Sequence, residues 1–355
     1  QTLTTTAGQT DQFTTVLPTS GLSGTTTPSY YRPQAISQVS SDYATYSAPN
    51  NTNGTYRYYN ALDGKFYKIN TDGTITALND EIFYNVSNVT WANTKDTAVI
   101  EYPDNTKIIY NFEKNTKVTV PSYWQDFSFS PTGDEVAAKS IGLSSENRYL
   151  ITTKDDGTGT KIIEPMGDYA DQVLVNWSPS KQVVAFSKTG QAQGADRKEI
   201  LLVGLNEENF KSLIVEGANF EAQWSTTGQK LLYSVNSARS DYKPELWIVD
   251  AYGNSIGQNR NLLGVYTWAE KCAFGDDKTL FCAVPRTLDT GAGMNKLVAN
   301  NTYDDLYKID TNTGLKTPIS LGNDNYTVNN ISYDTKNKKL IFTDTNKIGV
   351  YQVNL

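Results

Sequence analysis

The chain of 355 residues contains no histidine. That single absence excludes Ser-His-Asp and Cys-His catalysis, imidazole-ligated metals and imidazole acid–base chemistry together. Paired carboxylates remain as possible catalysts, but most familiar hydrolase mechanisms are gone. Long apolar runs are also missing. No stretch approaches the roughly 20 residues of a membrane span, and no leader-like apolar core stands near the start. Because the sequence opens on Gln1, a leader or membrane tether upstream of residue 1 is expected to have been removed or left out. Basic stripes are absent too: 31 Lys and Arg face 38 Asp and Glu, giving a net charge of −7. A nucleic-acid partner is therefore not expected. No Gly-rich phosphate loop precedes a helix, and Thr153–Gly159, with Asp155 and Asp156, lacks the spaced acidic ligands of a calcium loop. The sequence thus predicts no cofactor and no metal.

What is present is Tyr, Thr, Asn, Ser and Gly in quantity, and one phrase that returns along most of the chain. It reads Trp91-Ala-Asn-Thr-Lys-Asp, Phe129-Ser-Pro-Thr-Gly-Asp, Trp177-Ser-Pro-Ser-Lys-Gln and Trp224-Ser-Thr-Thr-Gly-Gln, with weaker copies at Phe274 and Tyr333. The aromatic leaders stand 38, 48, 47, 50 and 59 residues apart. Spacings in that range, each copy followed by a short apolar run, mark a repeat architecture. Around each phrase the text is strand, turn, strand. Third strands share a pattern (Phe66-Tyr-Lys-Ile-Asn, Leu246-Trp-Ile-Val-Asp, Leu306-Tyr-Lys-Ile-Asp) and end in Gly- or Asn-containing hairpin turns. Helical periodicity is nowhere sustained.

Four strands per repeat predict an all-β, seven-bladed β-propeller of four-stranded antiparallel blades. The first blade is placed within 35–80, and the others are expected to begin near 86, 125, 172, 218, 267 and 328. The last stops at Leu355 after three strands. A ring closes by borrowing the missing outer strand from the other terminus, which removes open edges. Residues 1–34 are a Thr/Ser/Gly-rich arm whose strand-like run, Gln12–Leu17, is the expected closing strand. The rival is that this arm pairs with a neighbouring molecule and makes a homo-oligomer. Cys272 and Cys282 flank the fifth turn and are expected opposite one another as a cross-strand disulfide, which suits an exported protein.

The Trp/Phe-Ser-Pro-x-Gly phrase, best preserved at Phe129-Ser-Pro-Thr-Gly-Asp-Glu-Val-Ala and Trp177-Ser-Pro-Ser-Lys-Gln-Val-Val-Ala-Phe, resembles the WD-like repeats of TolB-like propellers and of the propeller domain of dipeptidyl-peptidase-type enzymes. The resemblance is best from Phe127 to Pro285 and implies the fold. It implies no peptidase activity, because the hydrolase domain's Gly-x-Ser-x-Gly elbow and histidine are both missing.

In a propeller the connections from second to third strand, and from one blade to the next, share one face around the channel. Here the former are unequal, from the short Pro103–Thr106 to the long Pro285–Asp304, and long loops on a rigid scaffold are where recognition resides. They hold Arg148, Arg197, Arg239, Tyr242, Lys243 and Arg286; the neighbouring connections add Tyr123, Trp124, Tyr169, Phe220, Tyr266 and Trp268. Arg and aromatic residues make binding hot spots. The reading weighed against this is that the aromatics cap blade packing and the arginines pair with acids. The sequence points to a non-catalytic, extracellular, periplasmic or cell-surface module that holds a protein or glycan partner on the long-loop face. The alternatives are a carbohydrate-active enzyme with paired carboxylates in the channel, and a structural subunit assembled through its arm.

Overall fold

The computed structural model describes residues 36–194 and 196–355. Seven four-stranded antiparallel sheets follow one another in chain order. Blades one to six occupy 44–77, 88–120, 124–165, 173–215, 218–266 and 272–319. The seventh takes its three inner strands from Val328–Asp334, Lys339–Asp344 and Val350–Asn354. Its outer strand is Ile36–Ser40, which runs antiparallel to Val350–Asn354 with Ile36 opposite Val353 and Gln38 opposite Tyr351. The ring is therefore closed by a strand from the N-terminal side. That strand begins two residues past the segment read as the arm. The expected closing strand, Gln12–Leu17, lies outside the described residues, and the place beside Val350–Asn354 is taken by Ile36–Ser40.

The repeated phrase is the hairpin between the first and second strands. Trp91, Phe129, Trp224 and Phe274 each end a first strand and pair with Ala98, Val136, Leu231 and Leu280 at the start of the second. The serine after the aromatic closes the turn. Ser130 and Ser225 donate their amides to Glu135 and Lys230 and accept the returning amides on their hydroxyls at 3.2 and 3.0 Å. Gly133 and Gly228 sit at φ +72° and +73°, which explains the glycine of the phrase; Lys181 adopts the same conformation at +68° in the third copy.

Three of the leaders also tie their blades to the one before. Trp91 donates its indole N–H to Tyr46 O at 2.6 Å, and Trp224 donates to Asn176 O at 3.2 Å. The Trp177 amide donates to Ser128 Oγ at 2.9 Å. The apolar side chains sort the same way. Seven buried clusters each span one junction between neighbouring blades, including Tyr56, Tyr58, Ile69, Ile341 and Val350 where the last meets the first. Buried charge is added at several junctions. Arg57 of blade one, fully buried over Trp91, donates to Lys95 O, Pro49 O and Ala92 O at 2.5–2.9 Å. Burial lowers its pKa to about 10. Asp304 of blade six accepts from Lys271 Nζ at 2.8 Å and from the Val328 amide of blade seven at 2.7 Å.

Cys272 and Cys282 face each other across the first two strands of blade six and form the expected disulfide.

Two stability tests follow from this architecture. Removing Ile36–Ser40 together with the residues before it should lower the melting temperature by about 5 °C or more relative to removing the preceding residues alone, because an outer strand and its share of the closing junction are lost. Replacing both Cys272 and Cys282 by serine should cost about 3 kcal/mol in denaturant unfolding, the entropy of freeing a loop of this length. An unchanged midpoint would show that the bond adds nothing to the fold.

Candidate functional site

Antiparallel alternation puts the second-to-third-strand loops and the blade-to-blade connections on one face, and the tight phrase turns on the other. Among the described residues, nine tyrosines remain more than a third exposed. Eight of them, Tyr43, Tyr46, Tyr84, Tyr123, Tyr169, Tyr242, Tyr266 and Tyr303, lie on or beside loops of the first face; only Tyr252 belongs to the other. Leu143, Met294, Leu297 and Ile348 are exposed on that same first face. The asymmetry has a physical source. The phrase turns are short, polar and closed on themselves by serine and aspartate, so they have no room for large side chains.

The residues singled out from the sequence divide into two groups. Trp124, Phe220 and Trp268 are buried, at 7, 3 and 3 % exposure. Trp124 and Phe220 pack inside junction clusters. Both belong to first strands rather than to connections, so they serve blade packing; Trp268 is buried in the connection between blades five and six. Tyr123, Tyr169, Tyr242 and Tyr266 are on the surface. Most of the arginines have acidic partners. Arg239 bonds Glu245 at 2.6 Å and lies over Trp247, and Arg286 bonds Asp305 at 2.8 Å and Asn325 at 2.7 Å beside Tyr303. Arg148 lies 4.0 Å from Asp168. Arg197 is exposed and stands away from the channel, in a groove with Lys211 and Arg260 beside the outer strand of blade four.

The longest loop, 286–303, is built onto its neighbour. Gly291 and Gly293 donate their amides to Asp241 O and Tyr242 O, both at 2.8 Å, which locks it against the blade-five loop 237–244. Gly293 lies against Asn236 and Tyr242 so closely that a Cβ there would sit 2.6 Å from Asn236. Anchored in this way, the loop carries Lys296 to the channel. Lys296 Nζ meets Glu221 Oε1 of the innermost blade-five strand at 2.7 Å and Glu270 Oε2 at 2.9 Å. Burial raises the pKa of Glu221 against the pull of Lys296. For Lys296, burial lowers the pKa, but the bond to Glu221 and the charge of Glu270 outweigh it and the net shift is upward.

This triad sits on a cavity of about 560 Å³ walled by inner strands of blades one, four, five and seven, with Asn176, Gln223, Asn330, Ser47 and Ser332 among its lining. A second lobe of about 550 Å³, lined by Glu101, Gln125 and Asp126 of blades two and three, shares Leu174 and Val175 with it. Among the described residues no group of three or more acidic or cysteine side chains could hold a metal ion. Glu221, Glu270 and Lys296 escaped the sequence reading because no motif links positions 221, 270 and 296. Their only signal was that Lys296 falls in the longest loop.

No protein-family model matches the chain, and no curated protein matches it. Solved structures do. An oligogalacturonate lyase in complex with manganese superposes with a TM-score of 0.61 at 11 % identity, covering 91 % of this chain and 95 % of that one. The β-propeller domain of Cps50 (Swd1) from Myceliophteria thermophila gives 0.58 at 12 % identity, covering 90 % and 100 %. The tricorn protease gives 0.52 at 10 % identity, covering 91 % of this chain, which spans 34 % of that one. At such identities the likeness shows the fold alone. The class defined is a seven-bladed β-propeller, distantly similar to protease-associated, lyase and WD-type propellers, with no family assigned.

The triad has a pH signature. Because its folded pKa lies above the ordinary lysine value of 10.5, Lys296 contributes stability that is fully present below that value and lost as pH rises through the folded pKa. The difference in melting temperature between the wild type and Lys296→Met should therefore stay constant near neutrality and shrink above about pH 10.5. A difference that does not change with pH would show that the ammonium is not engaged.

Proposed function

We propose that this protein is a non-catalytic binding module, exported or displayed at the cell surface, that holds a protein or glycan partner on the face bearing the long loops. The observation that carries this reading is the segregation of exposed tyrosines: eight on one face, one on the other. Tyrosine offers a large, rigid, amphipathic surface at low entropy cost, and such residues are enriched where proteins bind. The interlocked loops 237–244 and 286–303 add pre-organisation, since main-chain bonds hold them in place before any partner arrives. Most arginines named from the sequence serve this platform through their acidic partners; the tyrosines supply its contact area.

The enzymatic alternative draws on the same channel. Glu221 and Glu270 both touch Lys296 Nζ, so those two oxygens lie at most 5.6 Å apart, the sum of 2.7 and 2.9 Å. That is near the separation of retaining glycosidases. The ammonium, however, occupies the space between the carboxylates where a glycosidic bond would have to lie. A carboxylate neutralised in that way is a poor nucleophile, and the binding reading is the better supported.

The test is a screen of the full chain on a glycan array and on immobilised surface-protein fractions, followed by variants against whatever is captured. Combined Tyr242→Ala, Tyr266→Ala and Tyr303→Ala should weaken capture by about tenfold or more without lowering the melting temperature. Tyr252→Ala on the opposite face should leave it unchanged. The reverse pattern would move the recognition surface to the other face.

A further inference from the structure

The Glu221–Lys296–Glu270 arrangement does more than fasten a loop. The loop already has its own anchors: the Gly291 and Gly293 amides on the blade-five loop, and the Asn295 side chain accepting from the Leu297 amide at 3.1 Å. Lys296 adds an ammonium held between two carboxylates from other elements, at the edge of an open cavity of about 560 Å³. The occupant itself defines the chemistry of the site. The two carboxylates are paired by one cation between them, and burial raises the pKa of Glu221 against the pull of that lysine. The rest of the cavity mixes amides and hydroxyls (Asn176, Gln223, Asn330, Ser47 and Ser332) with apolar side chains such as Leu174, Phe186 and Ile331, a lining that suits a sugar, whose ring presents hydroxyl edges and apolar faces.

We propose that the channel mouth is an ammonium-binding site whose resident occupant is Lys296, and that a saccharide carrying a free primary amine, an amino sugar, binds there by displacing it. The exchange is one ammonium for another. Charge is conserved, no bond is made or broken, and Lys296 swings out to solvent on an exposed loop flanked by Met294 and Leu297. The lysine acts as a gate. It blocks ligands with neutral groups, which cannot replace its charge, and it lowers the affinity of those that can. This site stands independently of the tyrosine rim, and its failure would leave the rim reading untouched.

The probe is a fully deacetylated glucosamine tetramer, with its N-acetylated counterpart as control, titrated calorimetrically into the full chain. Lys296→Met should bind the free-amine tetramer about tenfold or more tightly than the wild type does, since the competing ammonium is gone. Neither protein should bind the acetylated tetramer. Adding Glu221→Gln to Lys296→Met should abolish the gain. Lys296→Ala is run in parallel, with melting curves confirming that each variant is folded, and the unaltered protein must itself prefer the free amine over the acetamide. Equal binding of both tetramers, binding of neither, or affinity undiminished by Glu221→Gln would overturn the proposal.

Discussion

None of the seven sheets in this protein can bury its apolar residues alone. Every large buried cluster lies between two sheets, and the ring must close for the first and last to be covered. The rest follows from that constraint. The aromatic at the end of each first strand is set where it can fill a junction and, in several copies, bond the blade before it. The outer strand of the seventh blade comes from the N-terminal side, where Ile36–Ser40 takes the edge beside Val350–Asn354. Arg57 and the Lys271–Asp304 pair are buried because they, too, lie at junctions, where backbone carbonyls and an amide of the next blade complete their bonding.

A scaffold so constrained leaves little freedom inside and much at one end. The phrase turns are locked by serine hydroxyls and positive-φ positions, so one face is uniform. The connections on the other face have only to span between strands, and there the chain lengthens, gathers tyrosines and lays one loop on the next. The same loop that gives the face its relief also carries Lys296 to the channel, so the rim and the cavity share one element of sequence.

The blades were legible in the sequence because junction packing repeats and leaves a repeated aromatic, a repeated turn and alternating apolar runs. Even the disulfide could be read, since Cys272 and Cys282 are placed by the register of one hairpin. The closing strand was not legible: Ile36–Ser40 has a plainer, more polar text than Gln12–Leu17, and its role is set by the edge it meets 310 residues or more away. Trp124 and Phe220 looked like loop residues because no sequence signal marks where a first strand begins, and both lie within such strands. The channel triad left no pattern at all. Three side chains from separate segments become neighbours only once the ring has formed.

Native-state hydrogen exchange on the intact chain tests the closed ring most directly. In a closed ring Val350–Asn354 is an interior strand, paired on both sides, and its amides should exchange as slowly as those of Lys339–Asp344. Exchange of Val350–Asn354 at the faster rate of a true outer strand such as Lys316–Ile319 would mean that the seventh blade is open, and would contradict the account.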